Sequence, residues 1–131
     1  MPGFVLTGRA AAPVEEVWKL LFDPTRFPEW WAGVETVKTG PTGEYTLWQN
    51  GYPDFPMPQR LRADDHHPGQ VVMSCQVSDI DFTWQLADDG DHTAITVTVD
   101  LPDREAHRLD GQRASITTSL AALARLAEAR Q

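Results

Sequence analysis

From Tyr45 to Leu101 apolar residues recur at every second position, interrupted only by turn residues, and one long helix-forming stretch then closes the chain. This switch of period constrains the fold more than any other feature. A period of two places apolar side chains on one face of a strand, and a period near 3.6 places them on one stripe of a helix. Ile95, Val97, Val99 and Leu101 share one face of a strand from Thr93 to Leu101. Ile80, Phe82, Trp84 and Leu86 mark the strand before it, joined through a hairpin at Asp88–Asp91. Gln70 to Ser78 reads as a strand with Val71, Met73, Cys75 and Val77 on one side. Gln59 to Asp64 and Tyr45 to Gln49 are further strands, with turns at Asn50–Gly51 and His66–Gly69. The proline-rich run Pro53–Pro58 reads as a loop or an edge, because each proline removes a ladder donor.

Upstream, Phe4 to Ala10 is a first strand and Pro13 opens a helix. Its apolar face is Val14, Val17, Trp18 and Leu21, and Asp23–Pro24 end it. A second short helix over Thr25 to Ala32 carries Phe27, Trp30 and Trp31 and stops at Gly33, and Val34 to Lys38 is a strand. The final helix is expected from about Asp110 to Ala129. Ile116, Leu120, Leu123 and Ala127 form its apolar stripe, Leu126 widens it, and Arg113, Arg125 and Arg130 lie opposite. A one-sided sheet needs cover, and this helix is the long amphipathic element that supplies it. The expected architecture is one α+β domain over residues 1–131. A curved antiparallel sheet of about seven strands wraps a long C-terminal helix, with two short helices after strand one, which is a helix-grip fold.

The segment Ala12-Pro13-Val14-Glu15-Glu16-Val17-Trp18-Lys19-Leu20-Leu21-Phe22-Asp23-Pro24, continuing to Phe27-Pro28-Glu29-Trp30-Trp31, resembles the opening of polyketide cyclase/dehydrase-like proteins of the START/Bet v 1-like superfamily. Phe82–Leu86 with the Asp88–Asp91 turn is similar to that family's late hairpin, and Ser119–Ala129 to its closing helix. The resemblance implies a ligand space between sheet and helix. It carries no catalytic residue onto a position here, because the superfamily spans lipid and hormone carriers, aromatase/cyclases, quinone binders and co-chaperones.

Strand register directs Tyr45, Gln49, Gln59 and Cys75 inward, and Arg60, Arg62, Asp79 and Asp81 outward. The expected ligand-binding set is Tyr45, Gln59, Met73, Cys75, Phe82, Trp84, Val97, Ile116 and Leu120. Such a lining is apolar with a few neutral hydrogen-bonding groups, which suits holding a hydrophobic or aromatic molecule better than moving protons. Ordinary core packing is the competing explanation for the aromatics, Trp18 and Trp31 above all. The loop from Gly51 to Pro58 is expected at the cavity mouth.

Other chemistries find little purchase. His66–His67 lacks a third ligand at metal spacing and reads as a solvated turn, so no metal is expected. Cys75 reads as a small buried hydrophobe, and the Asp88–Asp91 turn lacks the pattern of a calcium loop. No phosphate or dinucleotide fingerprint and no nucleophile elbow is present, so no cofactor is expected. A formal charge of −8 with no basic cluster argues against nucleic acid and anionic membranes. The start has no basic-then-apolar leader, and no run reaches the roughly 20 apolar residues of a membrane span, so a cytoplasmic location is expected. Three functions stay open: a binder of a hydrophobic small molecule, a cyclase/dehydratase-type enzyme, and a co-chaperone-like module. Homodimer formation is open too.

Overall fold

The structure, a computed structural model, describes residues 2–63 and 69–129. Strand β1 (Gly3–Ala10) leads into helix α1 (Val14–Phe22), a 3-10 turn (Pro24–Arg26) and helix α2 (Phe27–Trp30). Six strands follow: β2 (Val34–Thr39), β3 (Glu44–Gln49), β4 (Met57–Ala63), β5 (Gln70–Cys75), β6 (Asp81–Asp89) and β7 (His92–Asp100). A 3-10 segment (Asp103–Arg108) then runs into helix α3 (Leu109–Ala129). The seven strands form one sheet in the order β1-β7-β6-β5-β4-β3-β2, antiparallel throughout. The helix-grip expectation holds. The His66–His67 pair, Asp64 and Arg130 lie outside the described residues.

Alternation does the sorting. Phe82, Trp84 and Leu86 of β6 and Ile95, Val97 and Val99 of β7 are all buried on the inner face. Helix α3 covers that face with Ile116, Leu120, Leu123 and Ala127, the stripe read from the sequence. Ser119 is buried there as well, and its hydroxyl accepts the Ala32 N–H at 2.8 Å while donating to the Ser115 carbonyl at 2.8 Å. That link fastens the joint between α2 and β2 to the middle of α3. At the other end Glu128 accepts the Ala11 N–H at 2.9 Å, and inside the core Thr93 donates to the Ala12 carbonyl at 2.7 Å.

Three expectations need correction. Val77 does not continue β5: the chain reverses after Cys75, whose N–H donates to the Ile80 carbonyl at 3.0 Å, and Asp79 takes a left-handed φ of 60°. Val77 therefore sits in the turn, 48% exposed. Helix α1 buries Leu20 as well as Val17 and Leu21, while Val14 and Trp18 are only half-buried against the core, so its face is centred one position over, and Trp18 also stacks on the exposed Phe22 at 5.2 Å. Finally, Met57 and Pro58 belong to β4, an interior strand. Pro58 pairs with Thr46 on one side, and its carbonyl accepts the Gln76 N–H at 2.9 Å on the other. An antiparallel residue turns its nitrogen and carbonyl the same way. The missing N–H thus faces the turn where β5 has already ended, so the proline removes no central rung.

Candidate functional site

The inner face carries two kinds of surface. Toward β6 and β7 it is aromatic. Helix α2 and the residue after it press Phe27, Trp30 and Trp31 onto the sheet: Phe27 meets Tyr45 edge-on at 5.5 Å, Trp30 meets Trp84 at 5.3 Å, and Trp31 meets Phe82 at 5.1 Å. Trp30 is itself fixed by its indole N–H, which donates to the Leu20 carbonyl at 3.1 Å. Trp84 is fully buried, and its indole N–H has no hydrogen-bond partner.

Toward β3, β4 and β5 the face is partly polar. Tyr45, Gln59 and Cys75 stand directly opposite one another on three adjacent strands, all buried. Side chains so paired lie about 5 Å apart at their Cβ atoms. The Gln59 amide donates to the Met57 carbonyl at 3.4 Å. Burial, with Cys75 close by, pushes the Tyr45 phenol well above its usual range, so it stays protonated.

Of the expected ligand-binding residues, the structure buries all nine on one face or its cover. Tyr45, Gln59 and Cys75 form the polar row; Met73 pairs with Phe82, and Trp84 with Val97, on the rows beside it; Ile116 and Leu120 look down from α3. Arg60 and Arg62 are exposed on the outer face and Asp81 is half-buried.

An open recess of about 310 Å³ lies where β3 ends and β4 begins. Gln49, Tyr52, Phe55, Met57, Val77 and Arg108 line it. Met57 is the inward neighbour of Gln59 along β4, so the recess lies beside one end of the face that carries the polar row. Tyr52 and Phe55 are exposed, as is Val77, and together they form an apolar rim on the Gly51–Pro58 loop and the β5–β6 turn. Strand patterns could not foretell this rim, because Val77 and Arg108 reach it from turns. A larger recess of about 530 Å³ is lined by Lys38, Thr46, Pro58 and Arg60, and Tyr45 and Gln59 of the polar row line it as well. Its lining is mixed, and Arg60 and Glu44, both at its wall, pair at 3.3 Å. Among the described residues no group of three or more His, Cys, Asp or Glu could hold a metal ion. Nor, among the described residues, is any helix long and apolar enough to cross a membrane.

A family model for polyketide cyclase/dehydrase and lipid transport proteins matches residues 1–128. The chain belongs to this family. No curated protein matches its sequence. Within the polyketide cyclase/dehydrase fold, solved structures align over almost the whole chain. The Zhui aromatase/cyclase from a Streptomyces species shares 16% identity at a TM-score of 0.75, covering 98% of this chain and 94% of its own. A Thermobifida fusca protein shares 19% identity at a TM-score of 0.75, covering 96% and 93%. A Bacillus halodurans protein shares 15% identity at 0.75, covering 98% of each. At these identities the likeness is one of fold.

Proposed function

We propose that this protein holds a hydrophobic small molecule whose body enters through the Tyr52–Phe55–Val77 rim and lies against the inner face of the sheet. The observation that carries the reading is the opening itself. The recess, walled by Tyr52, Phe55, Met57 and Val77, opens beside a strand face that carries a buried row of neutral polar groups, Tyr45, Gln59 and Cys75, and, further along the same face, the unpartnered indole N–H of Trp84. Apolar walls with a few convergent hydrogen-bonding groups are what small-molecule sites consist of. The family's description, which joins cyclases with lipid transport, supports both carrying and chemistry. A cyclase-type reaction is the second reading, favoured by the Tyr45 phenol, which stays a proton donor because burial keeps it neutral.

Titration of intrinsic tryptophan fluorescence with the neutral dye phenylnaphthylamine tests the site, with circular dichroism to confirm folding. Phe55→Ser, at an exposed position, should weaken binding about three- to tenfold. Phe82→Ala should weaken it more, since a fully buried side chain of this size contributes roughly 1.5–3 kcal/mol. Asp81→Asn should leave it unchanged. Binding that survives Phe55→Ser and Phe82→Ala but is lost in Asp81→Asn would move the ligand to the other face of β6.

A further inference from the structure

We infer that the ligand is an anionic amphiphile, an apolar body ending in a carboxylate-like group, and that Arg108 takes the anionic end at the mouth of the recess. The inference rests on the binding site proposed above and adds the chemistry of what fills it. Among the described residues lining the recess, Arg108 is the one charged side chain, and every other lining group is neutral. It comes from the 3-10 segment just before α3, which holds its backbone at the wall of the recess.

Four other arginines of this acidic chain are committed elsewhere. Arg9 pairs with Asp89 at 3.1 Å, Arg60 with Glu44 at 3.3 Å, and Arg26 with Glu29. Arg104, four residues earlier, is tied to the β5–β6 turn through Asp79 and donates to the Ser78 carbonyl at 3.3 Å. Among the described residues Arg108 meets Glu105 alone, at 3.7 Å, which is beyond hydrogen-bond reach. Its donors are therefore free to form the two-point contact that guanidinium makes with a carboxylate. Its carbon stem can lie along the apolar wall while the head stays at the rim. Two requirements follow for a ligand that satisfies the whole recess. Tyr52, Phe55, Met57 and Val77 call for an apolar body, and Arg108 calls for a negative end. Glu105 offsets part of that attraction, and the arginine side chain is 36% exposed, so the preference is moderate.

Two dyes with the same rings separate the requirements: anilinonaphthalene sulfonate carries an anionic group, and phenylnaphthylamine carries none. Wild type should bind the sulfonate more tightly. Arg108→Gln should weaken the sulfonate about three- to tenfold, leave phenylnaphthylamine unchanged and flatten the salt dependence of the sulfonate. Displacement of phenylnaphthylamine by dodecanoate against dodecanol, and by naphthoate against naphthol, tells whether an acyl chain or a flat ring is preferred. In either pair the acid should displace better than the alcohol. Equal displacement by acid and alcohol, or equal loss of both dyes in Arg108→Gln, would overturn the role of the charge while leaving the apolar site standing. Failure of wild type to bind either dye would overturn the site itself.

Discussion

Tyr45 and Trp84 show what single residues contribute on the inner face. Each puts one polar atom onto the buried inner face, and each does so from a strand position that alternation already directs inward. For Tyr45 the consequence is measurable. Alkaline difference spectra should show the Tyr45 phenolate forming only as the protein unfolds. Folding keeps the Tyr45 proton on. Stability should therefore be intact below the unfolded phenol's value of 10.0 and fall as pH rises past it, because there the unfolded chain releases the proton first. Urea midpoints at about pH 9 and about pH 11 should fall further apart in wild type than in Tyr45→Phe. Burial of Tyr45, Gln59 and Cys75 is legible in the sequence because the period of two fixes it. Arg108 is not: residues in a 3-10 segment have no face until the tertiary structure gives them one.

At the level of elements, α3 packs closely on β1 at Gly8. A Cβ added at Gly8 would lie 2.9 Å from Leu120 Cγ and 3.1 Å from both of its terminal carbons. The helix thus sits over the strand as closely as a leucine on bare backbone allows. Gly8→Val should destabilise by about 1–3 kcal/mol through overpacking, and adding Leu120→Ala should recover part of that loss, giving a non-additive cycle in thermal or urea melts. The α3 stripe was readable because Ile116, Leu120, Leu123 and Ala127 keep a helical spacing over three turns. The face of α1 was not, because in Val14–Phe22 nearly every position but the two glutamates and Lys19 is apolar. A helix apolar on most sides does not announce which side is covered. Val77 was misplaced for a related reason: alternation runs on through Cys75–Val77, and the chain reversal shows itself only as a left-handed Asp79. Pro58 was read correctly as a lost donor, but the ladder had no rung to lose there.

For the whole molecule, 19 acidic side chains against 11 lysines and arginines leave a surface that repels itself. Raising ionic strength from about 0.01 M to about 0.15 M shortens the screening length from about 30 Å to about 8 Å. Melting temperature should rise by roughly 2–5 °C over that interval, about 1 kcal/mol for a domain of this size. A fall would mean that the surface pairs, Arg9 with Asp89 among them, outweigh the repulsion. The strand order bears on how the chain is made as well as on how it rests. β1 has a single neighbour in the sheet, β7, and their register runs from Gly3 opposite Asp100 to Ala10 opposite Thr93. On a ribosome adding roughly 5–20 residues per second, the first strand leaves the exit tunnel and waits about 4–16 s for the residues that will hold it. For that interval Phe4 and Leu6 are open to whatever chaperone or stray strand arrives first.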